Sequence, residues 1–103
     1  MNKIILILTI LISSSAFADN NKALAEVKKE KKVKDAIITD AGVLYVGVLD
    51  DGTNRKGYAE YLCSVLKDNQ AQANRVKIVK HNSQNDPKRD NAYGILLGES
   101  WCR

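Results

Sequence analysis

The feature that most constrains this chain is its pair of cysteines, Cys63 and Cys102, which lie 39 residues apart. In a short exported chain, an even number of cysteines usually indicates a disulfide framework. Closing a loop of that length stabilises a folded chain by about 4 kcal/mol, mainly by restricting the unfolded state. We therefore predict a structural disulfide that fastens the C-terminus to the central helix.

Export is indicated by the first 18 residues. Lys3 supplies a positive charge, residues 4–12 (IILILTILI) are almost entirely apolar, and Ala16 and Ala18 fit an A-x-A cleavage site. The apolar run is too short to span a bilayer core of about 30 Å. We predict that residues 1–18 are a signal peptide and that the mature protein, without a membrane span, is periplasmic or secreted. An N-terminal membrane anchor is the alternative.

Other roles for the cysteines need patterns that are missing from the sequence. A redox pair of the C-x-x-C type has its sulfurs close together in sequence. A structural zinc site usually has four ligands, and besides the two cysteines the chain has a single histidine, His81. The sequence therefore predicts neither a metal nor a cofactor.

The length of 103 residues allows one domain. We divide the chain into the signal peptide (1–18), a charged lead-in that is helical or flexible (19–35) and a small α+β domain (36–103). The lead-in is rich in lysine and glutamate and has a thin apolar stripe at Leu24, Val27, Val33 and Ile37. Its charge run is typical of a solvated surface.

Three apolar segments predict strands. Residues 43–49 (VLYVGVL) are apolar on both faces, which favours a central strand; residues 75–80 (RVKIVK) and 93–97 (YGILL) are the other two. Residues 55–69 have the periodicity of a helix, and the polar residues 81–91 predict an exposed loop. We therefore predict the order α-β-α-β-β, with a helix on one face of a three-stranded sheet. The first two strands would be parallel, and the orientation of the third is left open.

The turn after the central strand is the best candidate for a ligand contact. It contains Asp50, Asp51, Thr53 and Asn54. Ligands in layered α/β proteins bind beyond the carboxyl ends of central strands. A calcium site of the EF-hand type would need alternate acidic positions and a distal glutamate, which this turn lacks. Capping of the following helix by Thr53 or Asn54 explains the same residues.

His81 is the only histidine and a candidate proton carrier. A nucleophilic mechanism would pair it with Ser64, Ser83 or Ser100, yet none of these serines lies in a G-x-S-x-G motif. A solvated histidine at a strand end is the simpler interpretation. A small hydrolytic or ligand-binding protein that uses Asp50, Asp51 and His81 stays as an alternative function.

Aromatic residues between cations suggest a further alternative, a weak binder of nucleic acid or of an anionic surface. The residues concerned are Tyr45, Tyr58, Tyr61, Tyr93 and Trp101, with Arg75, Lys77 and Lys80. A small sheet needs such rings for packing, however. The formal charge of +4 is modest and no nucleic-acid motif is present, both of which argue against nucleic acid as the partner.

Our main hypothesis is an exported, non-enzymatic module that binds another protein or a component of the cell envelope. Aromatic and arginine side chains are enriched at protein interfaces and serve well as anchors. The candidate interface residues are Tyr61, Trp101 and Arg103, together with the polar loop 82–91.

Overall fold

The computed structural model describes residues 15–84 and 93–103. These ranges form two helices and four strands: α1 (Ser15–Lys28), β1 (Asp35–Ile38), β2 (Val43–Val48), α2 (Lys56–Asp68), β3 (Arg75–Lys80) and β4 (Leu96–Trp101). The strands make one mixed sheet in the order β1-β2-β3-β4. The chain is therefore a small α+β domain, as the sequence predicts at this coarser level.

The core lies between one face of the sheet and the two helices. Strand alternation directs every second side chain of β2 and β3 toward the helices. The buried core consists of Leu44, Val46, Val48, Val76 and Ile78 from these strands, Ala23 and Val27 from α1, Ala59, Leu62 and Leu66 from α2, Ala36 from β1 and Ala73 from the segment before β3. Both helices thus pack on the same face, and the other face of the sheet is left to a different set of side chains.

The parallel pair at the centre of the sheet is confirmed. Val43 lies opposite Arg75 and Val48 opposite Lys80, and α2 is the crossover between the two strands. Because β2 and β3 are both apolar toward the helices, this pairing places the two strands that supply most of the core side by side.

The predicted count of three strands and the order α-β-α-β-β are wrong, because the chain forms a further strand, β1, antiparallel to β2. The apolar pattern of the sequence predicts a helical stripe that includes Ile37, whereas Ile37 lies opposite Tyr45 in the sheet. Only Ala36 of this four-residue strand is buried, so its alternation gives a weak signal. The hairpin is closed by Thr39, whose N–H donates to the Val43 carbonyl at 2.9 Å.

The last strand also begins later than the predicted range 93–97, and it is antiparallel to β3. It includes Gly98, Glu99 and Ser100, whose polarity is unlike that of a buried strand. At Gly98 an added Cβ would lie 2.6 Å from the Lys56 nitrogen and against the backbone of Arg55. This glycine therefore lets the start of α2 dock directly on β4. Residues 85–91 of the predicted loop lie outside the described residues.

The predicted disulfide is confirmed: Cys63 and Cys102 are bonded, with their Cα atoms 5.2 Å apart. It joins the middle of α2 to the residue that follows β4. The Cys102 N–H also donates to the Asn74 carbonyl at 2.7 Å, at the entrance to β3. The C-terminus is thus held to both the helix and the sheet.

The lead-in predicted for residues 19–35 is helical as far as Lys28 and belongs to the core through Ala23 and Val27. At the start of this packing, the Gln72 N–H donates to Asn20 Oδ1 at 2.7 Å. The predicted signal peptide lies outside the described residues up to position 14. Neither helix of the described ranges is long and apolar enough to cross a membrane.

Removing the disulfide should lower the free energy of unfolding by about 4 kcal/mol, because the open chain gains conformational entropy when it unfolds. The test compares denaturant unfolding of the protein with that of a Cys63→Ala, Cys102→Ala variant. Equal midpoints for the two proteins would contradict a stabilising role for the bond.

Gly98→Ala should lower the free energy of unfolding by about 1 to 3 kcal/mol, because its methyl group would push the start of α2 off β4. Gly57→Ala is the matched control: a Cβ there meets nothing within 4 Å, and alanine is the better helix former. Thermal melts should show a loss for the first variant and no loss for the second. The opposite order would contradict the docking of α2 on β4.

Candidate functional site

The predicted ligand turn uses its carboxylates to organise its own backbone. Asp50 Oδ1 accepts from the Gly52 N–H at 3.0 Å, and Asp51 Oδ1 accepts from the Thr53 N–H at 3.0 Å and from its hydroxyl at 2.5 Å. The hydrogen bonds from Thr53, followed by the charge of Arg55, lower the pKa of Asp51 below its ordinary value. These oxygens already have donors, so the turn functions as a self-capped structure.

Arg55 ties this turn to the sheet. Its side chain is buried, and its Nη2 donates to the Leu49 carbonyl at 2.9 Å and lies 3.2 Å from Asp51 Oδ2. The N-cap residue of α2 is Arg55 and not the predicted Thr53 or Asn54, although Asn54 Oδ1 accepts from the N–H of the first helical residue, Lys56, at 2.7 Å. In the part of the chain that the structure describes, no group of three side chains is placed to hold a metal ion.

His81 faces Asp35 and not the aspartates of the turn. Its Nδ1 lies 3.5 Å from Asp35 Oδ1 and is buried without a hydrogen bond in the described structure. The His81 N–H donates to the Val48 carbonyl at 2.8 Å, which fixes the residue at the end of the parallel pair. A cavity of about 130 Å³ adjoins this pair; it is lined by Asp35, Ala36, Ile37, Tyr45, Gly47, Val79 and Tyr93.

The three candidate serines have structural hydrogen bonds. Ser64 Oγ donates to the Tyr61 carbonyl at 2.5 Å, and Ser83 Oγ to the Lys80 carbonyl at 2.5 Å. Ser100 Oγ donates to the Trp101 carbonyl at 3.3 Å. Because each hydroxyl is directed to a backbone carbonyl, the described geometry does not pair a serine with His81.

The face of the sheet opposite the helices gathers several of the predicted aromatic and cationic residues. Strand register sets one row across the four strands, consisting of Ile37, Tyr45, Lys77 and Glu99. The neighbouring row places Trp101 opposite Arg75. We call this surface the aromatic face; it comprises Ile37, Tyr45, Arg75, Lys77, Tyr93, Glu99 and Trp101.

Trp101 is the most prominent side chain of the aromatic face, with 58% of its surface exposed. The Arg75 guanidinium lies 4.3 Å from the centre of its ring, in a cation–π arrangement. Arg75 Nη2 also donates to Glu99 Oε2 at 2.7 Å. The exposed ring is therefore supported from below by a charged network.

The other end of the aromatic face contains a pair of tyrosine rings. Tyr45 and Tyr93 meet edge to face, with their ring centres 4.6 Å apart. The Lys77 ammonium lies 5.9 Å from the Tyr45 ring, and this lysine is only 2% exposed. Its charge is thus placed beneath the surface and not on it.

The other aromatic and cationic residues named in the sequence analysis lie outside the aromatic face; they are Tyr58, Tyr61, Lys80 and Arg103. Tyr61, on α2, donates through its hydroxyl to Glu30 Oε2 at 3.2 Å, and Tyr58 donates to Oε1 of the same carboxylate at 3.2 Å. Their rings stack with centres 5.9 Å apart. Arg103 lines a groove of about 410 Å³ beside the disulfide. Lys80 follows the alternation of Val76 and Ile78 toward the helix side, away from the aromatic face.

Sequence reasoning missed Ile37 and Glu99 as members of this surface. Ile37 was missed because the sequence pattern places it in a helical apolar stripe and not in a strand, and Glu99 because the predicted third strand ends at residue 97. The alternation of β3 did carry a signal, since Arg75, Lys77 and Val79 share one parity.

The chain matches no protein-family model, no curated protein and no solved structure. Its function is therefore inferred from the residues and the geometry described above.

The contact of Glu30 with the two tyrosines predicts an alkaline loss of stability. Burial and then the nearby carboxylate raise the pKa of Tyr58 to about 12. The fold favours the neutral phenol, so its contribution is complete below about pH 10 and is lost as the pH rises toward 12. Unfolding measured against pH should show this loss, and Tyr58→Phe should reduce it.

Glu30→Gln provides the control. Removing the carboxylate charge should move the pKa of Tyr58 back toward its ordinary value, although burial still raises it. A titration of tyrosinate absorbance measures this shift. An unchanged titration in Glu30→Gln would contradict the contact.

Proposed function

We propose that this protein is an exported, non-enzymatic module that binds a partner protein through the aromatic face. The observation that carries the proposal is Trp101, an exposed indole held against Arg75 on a sheet face that the helices do not cover. Exposed tryptophan and arginine are the side chains most enriched among interface hot spots. A ring that is already positioned also loses little conformational entropy on binding.

Export is supported by two independent observations. The disulfide between Cys63 and Cys102 is of the kind that persists in oxidising compartments outside the cytoplasm. The sequence pattern of residues 1–18 is that of a signal peptide, and the core side chains of α1, Ala23 and Val27, follow the predicted cleavage site. Cleavage there would leave the packing of α1 intact.

The contacts and burial of the cationic side chains on the aromatic face favour a protein partner over nucleic acid. Arg75 is engaged with Glu99 and with the Trp101 ring, and Lys77 is almost fully buried. Binding of single-stranded nucleic acid depends on cations that reach the phosphates. The exposed apolar side chains of the aromatic face are instead those of Tyr93, Trp101 and Ile37, which suit a partly apolar protein surface.

A binding role is favoured over catalysis by the hydrogen bonds of the polar residues. The carboxylates of Asp50 and Asp51 accept from their own turn, and the hydroxyls of Ser64 and Ser83 donate to backbone carbonyls. A nucleophile or general base needs such atoms directed at a substrate.

Trp101→Ala should abolish most of the partner capture while leaving the fold intact, because the exposed indole contributes more to an interface than to the core. A photo-crosslinking residue placed at position 37 reports capture in living cells. The same residue at position 60, exposed on α2, is the matched control and should trap nothing specific.

Two further measurements keep this test decisive. Thermal melts show whether Trp101→Ala is folded, and Trp101→Phe should restore capture in part because it keeps an aromatic ring. Undiminished capture by folded Trp101→Ala, or equal capture from positions 37 and 60, would contradict binding through the aromatic face.

A further inference from the structure

The segment that joins α1 to β1 has an unusual concentration of positive charge. Residues 28–34 (KKEKKVK) include five lysines, and all five side chains are exposed. We call this segment the lysine turn; its lysines are Lys28, Lys29, Lys31, Lys32 and Lys34. It is separate from the aromatic face, because it lies where the helical layer meets the start of the first strand.

The two other residues of the lysine turn, Glu30 and Val33, both contact side chains of the helices or the core. Glu30 accepts hydrogen bonds from the hydroxyls of Tyr58 and Tyr61 on α2. Val33 is partly buried and packs against the core. The acid and the apolar residue are thus used to attach the turn, and the outward surface is left to the lysines.

Few of these lysines are neutralised. Lys29 pairs with Glu26 at 2.8 Å, and this hydrogen bond lowers the pKa of the glutamate. Within residues 15–84 and 93–103, Lys28, Lys31, Lys32 and Lys34 have no carboxylate within 4.0 Å. The outward surface of the lysine turn therefore carries a net positive charge.

The lysine turn is also ordered by its backbone. The N–H groups of Lys29 and Glu30 continue the helix by donating to the carbonyls of Glu26 and Val27. The Lys34 N–H donates to the Gly47 carbonyl of β2 at 2.8 Å. The lysines are consequently presented by a fixed turn and not by a loose tail.

An exposed leucine follows the strand to which the lysine turn is hydrogen-bonded. Leu49 follows β2, two residues after the Gly47 carbonyl that binds Lys34, and 62% of its surface is exposed. Its own carbonyl is held by Arg55 Nη2 at 2.9 Å. Two carboxylates lie close to Leu49: Asp35 Oδ1 is 3.5 Å from His81 Nδ1, and Asp50 Oδ1 accepts from the Gly52 N–H of its own turn.

We propose that the lysine turn, together with Leu49, docks the protein on the surface of an anionic lipid bilayer. The ammonium groups would bind the lipid phosphates and Leu49 would enter the interfacial region, without any segment spanning the membrane. Clusters of four or more basic residues bind anionic membranes in this way, and each lysine near the surface strengthens binding about fivefold. An apolar side chain beside the charges adds to the affinity.

A bilayer fits this surface better than nucleic acid does. The nearest rings, Tyr58 and Tyr61, stack on each other, and their hydroxyls bind Glu30, so they do not form a platform for bases. The Lys32 ammonium lies over the Tyr58 ring, 5.6 Å from its centre, and so further covers the ring. An aliphatic neighbour such as Leu49 is useful at a lipid surface and has no role in phosphate binding.

The test is sedimentation of the protein with vesicles of phosphatidylcholine alone or mixed with phosphatidylglycerol, at low and high salt. The full chain is expressed, and the mass of each purified variant is measured so that all have the same N-terminus. Lys31→Gln with Lys34→Gln should weaken binding to the anionic vesicles by about 30-fold. Leu49→Ser should weaken it several-fold, and high salt should weaken binding of the unaltered protein.

The matched control is Lys22→Gln with Lys67→Gln. It removes the same charge at the other end of the helices, where Asn20 meets Gln72, and should change binding less than twofold. Equal losses in the two double variants would overturn the proposal. So would salt-independent binding to both kinds of vesicle, or stronger binding to single-stranded RNA or to polyglutamate than to the anionic vesicles.

Discussion

The bond between Cys63 and Cys102 is the constraint on which the arrangement of this small domain depends. It links the middle of α2 to the residue after β4, and it does so directly beside Trp101. Domains of this size bury too little apolar surface to be comfortably stable on a core alone, so a covalent link has a large relative effect. The same link fixes the end of the strand that presents the indole, which connects the stability of the fold to its proposed binding surface.

Several charged side chains that could have served a functional site instead make structural contacts. Asp51 and Arg55 hold the turn that leads into α2, and Glu30 joins the lysine turn to the tyrosines of that helix. The side chains left for other molecules are of two kinds, rings on the aromatic face and lysines at the end of α1. This division suits a protein that binds at two surfaces, to a protein partner through one and to a lipid surface through the other.

How far the sequence could predict this structure depended on how much each element is buried. The strands predicted at 43–49 and 75–80 are present at 43–48 and 75–80, because their apolar residues are continuous or alternate, and the disulfide was predicted because the cysteine count is even. β1 was missed because only Ala36 of its four residues is buried. β4 was misplaced because Gly98 and Glu99 do not look like strand residues in the sequence. Gly98 is required by the close approach of α2, and Glu99 pairs with Arg75 of β3. The sequence could therefore indicate that aromatic and cationic side chains form a surface, but it could not show which of them share one face of the sheet, because that depends on the strand register.

The most direct test of a positioned Trp101 is time-resolved fluorescence anisotropy, since this is the only tryptophan of the chain. The indole should tumble with the whole protein, because the Arg75 guanidinium lies 4.3 Å from its ring centre and the next residue, Cys102, is held by the disulfide. Reduction of the disulfide, under conditions in which circular dichroism still reports the helices, should release fast local motion. If fast ring motion already accounts for most of the decay in the oxidised protein, the indole is not held in place and the account is contradicted.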